Sequence, residues 1–159
     1  MTEATQYVTL GIDREVFAVP VDGVQEILDM LPISRLPHTP PHLLGMINVR
    51  GHGVPVIDLR AKLGLPVLGT TSDTRILVLE IPMNGTVMVV GLLADRVFEV
   101  TSLDGGPDGE RLDPPPEIGT RWRSECIRGV GRRGDSFVVV FDLPRLFASD
   151  EVPLLGAAA

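Results

Sequence analysis

Short apolar runs, rich in β-branched residues and broken every few positions by Gly, Pro, Asp or Asn, make up most of the chain. Residues 7–12, 16–19, 46–49, 54–59, 75–81, 87–93 and 137–141 have the length, composition and bounding turn residues of strands. Asp13-Arg14-Glu15 and Met83-Asn84-Gly85 separate pairs of these runs, and Asn-Gly accepts the positive φ of a tight hairpin. Helical pattern is scarce. Residues 21–28 and 59–63 allow a turn or two each, and 144–148 allow one. Many short strands punctuated by turns predict barrels or sandwiches.

Two patterns recur. Asp22-Gly23-Val24-Gln25-Glu26-Ile27 is echoed by Asp95-Arg96-Val97-Phe98-Glu99-Val100, an offset of 95 − 22 = 73 residues. Val56-Ile57-Asp58-Leu59 is echoed by Val140-Phe141-Asp142-Leu143, an offset of 142 − 58 = 84. In both copies of the second pattern an apolar run ends at Asp-Leu, which predicts Asp58 and Asp142 as N-caps of short helices. The shared order of the echoes points to a duplicated β-unit. The eleven extra residues of the second offset fall near 102–119, where Gly105-Gly106-Pro107 and Asp113-Pro114-Pro115-Pro116 predict an extended surface loop.

Composition narrows the class. The chain has 159 residues, 44% apolar and 22% charged, enough to bury a core without metal or disulfide. A net charge of −7 repels phosphate backbones and anionic lipid, so nucleic acid and membrane are poor partners. Cys126 is the sole cysteine, excluding an intrachain disulfide and fitting a reducing compartment. The first six residues lack the basic and apolar regions of a signal peptide, and no apolar run could span a bilayer. A cytoplasmic location is expected.

Candidate chemistry is thin. His38 and His42 have zinc-binding spacing for a helix, but Pro40-Pro41 between them breaks it, and His52 completes no ligand set. Ser124, Glu125 and Cys126 lie together without a nucleophile-elbow or cysteine-hydrolase signature. Gly129-Val130-Gly131 lacks phosphate-loop spacing and is taken as a hairpin turn. With 4% aromatic residues, a stacking pocket for a small ligand is poorly supplied. Neither a catalytic, a metal nor a cofactor site is expected.

Leu44-Gly45-Met46-Ile47-Asn48-Val49-Arg50-Gly51, then Val54-Pro55-Val56-Ile57-Asp58-Leu59-Arg60, resembles the most recognisable stretch of CheW-like domains. Val24-Gln25-Glu26-Ile27 upstream and Val90-Gly91-Leu92-Leu93-Ala94-Asp95-Arg96-Val97 downstream fit the same family. The resemblance implies an all-β fold of two pseudo-equivalent five-stranded SH3-like barrels around a shared core, with a few short helices. It implies one domain over 7–147: a first barrel near 15–80, a second near 81–147 completed by strand 7–12, and a tail at 148–159. It implies a non-catalytic adaptor that couples chemoreceptor cytoplasmic tips to the regulatory domain of the histidine kinase CheA. The receptor-contacting positions it implies are Val24, Glu26, Gly45, Asn48, Arg50 and Gly51. For Arg50 the residues alone leave a structural ion pair with Asp58 or Glu26 open; for Val24 and Glu26 they leave the shared or opposed facing open. Arg121-Trp122-Arg123 with Arg132-Arg133, and the Pro114-Pro115-Pro116 run, depart from the family pattern. An adaptor of another chemosensory output, such as twitching motility or a diguanylate cyclase pathway, is the alternative. A small-ligand sensor barrel stands behind it.

Overall fold

A computed structural model describes residues 6–13, 15–39, 42–66, 69–103, 127–133 and 136–147. Its strands are β1 (Gln6–Ile12), β2 (Glu15–Pro20), β3 (Val24–Asp29), β4 (Leu43–Val49), β5 (His52–Asp58), β6 (Arg75–Met83), β7 (Thr86–Ala94), β8 (Arg96–Ser102), β9 (Ile127–Arg133) and β10 (Ser136–Phe141). A 3-10 turn, Val21–Gly23, precedes β3, and two one-turn helices, α1 (Leu59–Lys62) and α2 (Leu143–Leu146), follow β5 and β10.

The strands form two five-stranded sheets, in the orders β3-β6-β7-β5-β4 and β8-β1-β2-β10-β9. Each sheet repeats one plan. A central antiparallel hairpin (β6–β7, β1–β2) lies between an antiparallel edge strand (β3, β8) and a parallel neighbour (β5, β10). That neighbour in turn carries an antiparallel outer strand (β4, β9). The duplication read from the two echoes is therefore a duplication of sheets. The chain crosses between sheets twice, at Val21–Gly23 and at Asp95. Both strands of the N-terminal hairpin sit with β8–β10, and the 80/81 boundary expected between barrels falls inside β6.

Alternation along the strands explains where the core sits. Val8, Leu10 and Ile12 of β1 and Leu77, Leu79 and Ile81 of β6 meet in one large cluster shared by both sheets. Phe17 and Phe141 stack within it at 5.0 Å between ring centres. The opposite faces fill each unit separately. Ile47, Val54, Val56 and Ile76 pack inside the first, and Tyr7, Ala18, Val138 and Val140 inside the second. Central strands are thus apolar on both faces, which removes a clean period of two from β1 and β6.

Three elements differ from the expectations. The segment expected as a helical turn at 21–28 is mostly strand: Val24, Glu26 and Leu28 are half-buried while Gln25, Ile27 and Asp29 are exposed. Arg96–Ser102, noticed only as an echo, is edge strand β8. Gly129 and Gly131, expected in a turn, lie in β9 opposite Val140 and Val138, where a larger side chain would meet buried valines.

Candidate functional site

The β4–β5 hairpin turns on two residues, Arg50 and Gly51, between Val49 and His52. Both have positive φ, 50° and 86°, the conformation of the tight turns whose twist suits a hairpin. Nothing surrounds Gly51 within 4 Å of where a Cβ would stand, so backbone conformation alone asks for glycine there. The Asn48 Oδ1 accepts the Gly51 N–H at 2.7 Å and locks the turn. Gly45 answers a different need. A Cβ there would stand 2.2 Å from the Ser34 carbonyl oxygen, because Ser34 and Met46 exchange two backbone hydrogen bonds of 2.8 Å.

The turn carries Arg50 to the surface, where its side chain is 68% exposed. It forks onto Glu26 of β3: Nη1 donates to Oε1 at 3.1 Å and Nη2 donates to Oε2. The hydrogen bond and charge of Glu26 raise the Arg50 pKa. Of the two structural partners open at the sequence level, Glu26 is the one Arg50 meets. A bulge between Val24 and Glu26 settles their facing: Val24 sits opposite Leu79 and Glu26 opposite Val78. Those neighbours in β6 point to opposite faces, so Val24 packs against the shared core while Glu26 turns to the mouth of the first unit. A cavity of about 600 Å³ opens at that mouth, lined by Arg50, His52, Val54, Val78 and Val89 among others. Five of the six expected receptor-contacting positions thus gather on β3 and the β4–β5 hairpin, with Val24 turned inward.

Asp58 and Asp142 cap α1 and α2. The Asp58 Oδ1 accepts the Arg60 N–H at 2.9 Å, and the Asp142 Oδ1 accepts the Arg145 N–H at 3.2 Å. Burial pushes the Asp58 carboxyl above its usual value, against the lowering pull of the helix N–H groups and the Arg60 charge.

Arg60, the last residue of the family-like stretch and given no role from the sequence, ties the two sheets together. Its side chain is 7% exposed. Its Nε donates to Asp95 Oδ1 at 2.9 Å, Nη2 to Asp95 Oδ2 at 2.7 Å and to Asp13, and Nη1 to the Pro66 carbonyl at 3.0 Å. Asp13 belongs to the β1–β2 turn and Asp95 to the second crossing between sheets. The Asp13 N–H also donates to Asp95 at 2.8 Å. Burial draws the Asp95 pKa up, but the Arg60 hydrogen bonds and charge outweigh it and hold it below the ordinary carboxylate value. The one signal in the sequence was an arginine placed two residues after a capping aspartate.

Other expected candidates are quickly placed. Among the described residues no three His, Cys, Asp or Glu side chains gather to hold a metal ion, and no helix is long and apolar enough to cross a membrane. Arg132 is on exposed β9 surface. Arg121, Trp122, Arg123, Ser124, Glu125, Cys126, the Pro114-Pro115-Pro116 run and the tail lie outside the described residues.

Comparison with known proteins agrees with this architecture. The scaffolding protein CheW of Thermoanaerobacter tengcongensis superposes with a TM-score of 0.79 at 27% identity, covering 95% of this chain and 92% of that one. The fold is therefore the pair of SH3-like barrels around a shared core. The chemotaxis protein CheW of Klebsiella aerogenes is 28% identical over 99% of this chain and 90% of its own length. A probable chemotaxis protein CheW of Rhizobium etli is 30% identical over 92% and 89%. The family model described as the CheW-like domain matches residues 6–151, and the chain belongs to that family.

Proposed function

We propose that this protein is a non-catalytic coupling adaptor of chemotaxis signalling, joining chemoreceptor cytoplasmic tips to the regulatory domain of the histidine kinase CheA. The observation that carries the reading is the Arg50–Glu26 pair, held at the surface by a turn built for the purpose. An ion pair this exposed contributes little to stability, so the turn's construction is better explained by what Arg50 presents. Complementary charge at a rim sets register and encounter rate, and the cavity beside it offers the apolar area of Val54, Val78 and Val89. The receptor tip is assigned to this surface, formed by Glu26, Gly45, Asn48, Arg50 and Gly51. Val24 supports it from beneath.

The adaptor needs no cofactor, and its setting is the cytoplasm. Arg50→Glu is expected to abolish capture of a receptor cytoplasmic hairpin in titration calorimetry while the melting temperature stays within a degree or two of wild type. Restoration in the Arg50→Glu, Glu26→Arg double variant would show that the pair itself is read. An unfolded Arg50→Glu protein would instead make Arg50 structural.

A further inference from the structure

The duplication gives the molecule two seams between sheets, and they are built differently. At the first, Asp95 at the crossing receives Arg60, which stands two residues past the capping Asp58. At the second, the crossing residue is Asp22, and two residues past the capping Asp142 stands Pro144. The other acid of the first seam is replaced as well. Asp13 is two residues beyond Gly11, whose carbonyl accepts the Asp95 N–H at 3.1 Å. The corresponding carbonyl of the second seam is that of Glu80, which lies beside Gly23, and two residues beyond it stands Pro82. Register agrees, since Gly11 opposes Val16 as Glu80 opposes Val89.

The second seam therefore keeps the acceptor and loses the guanidinium. Where Arg60 fills the first, the second holds a groove of about 430 Å³ floored by Pro20, Pro82, Phe141, Leu143 and Pro144. Asp22, Glu80 and Asp142 line it with one basic residue, Arg128; Asp142 is already paired with Arg145 at 3.8 Å, which leaves Asp22 and Glu80 against Arg128. We propose that this groove is a receptacle for an arginine side chain of a partner protein, its guanidinium meeting Asp22 as Arg60 meets Asp95.

The occupant follows from the chemistry. Arginine alone couples a long apolar stem, suited to a proline and leucine floor, with a fork that binds carboxylate in two bonds. Lysine would bring a point charge with a larger hydration cost. The surplus of acid over Arg128 attracts a cation and repels the acidic surface of a second copy of this chain, whose net charge is −7. The site is separate from the Arg50 surface and does not depend on the coupling reading.

Two measurements on the full chain test it. N-acetyl-arginine amide, titrated at low salt, should give saturable amide shifts centred on Asp22, Gly23 and Leu143. Asp22→Asn should weaken that response about tenfold, the loss of one charge-assisted contact, and N-acetyl-citrulline amide should match the weakened response. Independently, Pro144→Arg should refill the groove from within, raising the melting temperature above that of Pro144→Ala and blocking the titration. That gain should vanish in the Asp22→Asn background. Shifts scattered over the acidic surface and unchanged in Asp22→Asn would overturn the proposal. So would a Pro144→Arg protein no more stable than Pro144→Ala.

Discussion

Arg50 and Arg60 carry the same guanidinium and meet opposite fates. Arg50 is lifted into solvent by a positive-φ turn, whereas Arg60 is drawn under the surface by acids from two separate segments and the Pro66 carbonyl. Removing Arg60 strands Asp95 in a half-desolvated place. Arg60→Met is expected to cost about 2–3 kcal/mol in urea unfolding, below the range for a fully buried pair because Asp13 and Asp95 keep some water. The same network has a pH signature. A carboxylate whose folded pKa is depressed binds fewer protons than its unfolded counterpart, so its stabilisation is present above the ordinary value near 3.8 and disappears as pH falls through the lower folded one. Asp58, shifted upward by burial, works the other way in the same acid range. Asp95→Asn should therefore cost most at neutral pH and progressively less below about pH 4, read from urea midpoints across the range. The caps are more uniform: Asp58→Ala and Asp142→Ala should each lose about 1 kcal/mol. Both caps were legible because Asp-Leu ends an apolar run twice. The Arg60 lock was not, because its three partners are scattered along the chain.

At the scale of the element, hairpins were the easiest to read and edge strands the hardest. Asn84-Gly85 announces its turn, and both residues have positive φ, 50° and 82°. β3 and β8 were hidden because an edge strand has one half-solvated face and mixed charge, a pattern that a short helix shares. The bulge in β3 adds a second disguise, since it turns Val24 and Glu26 to opposite faces despite their spacing. β9 was hidden by its glycines, which stand for missing volume rather than a turn. Gly131→Val would force a branched side chain against buried Val138, and it should lose about 1–3 kcal/mol by overpacking. A loss no larger than a few tenths would mean that this face has room and that its glycines answer another need.

Over the whole molecule, two copies of one β-unit share a core, and their differences carry the interest. The duplication could be read from echoes at offsets of 73 and 84 residues, because each cap and crossing recurs at the same place in its sheet. The family resemblance put strand 7–12 with the second unit, where β1 lies, but left β2 in the first span and β7 in the second, whereas β2 joins β8–β10 and β7 joins β3–β6. The proposed coupling surface was legible only through the likeness to the CheW-like family; the turn and the Glu26 pairing supply the physical argument for it. The outer edges also differ, with Glu26 and Asp29 on edge β3 and Arg128 and Arg132 on edge β9. An adaptor built this way offers two unlike ends, and simultaneous occupation gains from the high effective concentration of linked sites. The most direct test is sedimentation of the purified protein with a CheA regulatory domain and a receptor cytoplasmic hairpin from the same organism. A three-component complex is predicted, with Arg50→Ala releasing the receptor and keeping the kinase domain. A folded wild-type protein that binds neither component would contradict the adaptor account.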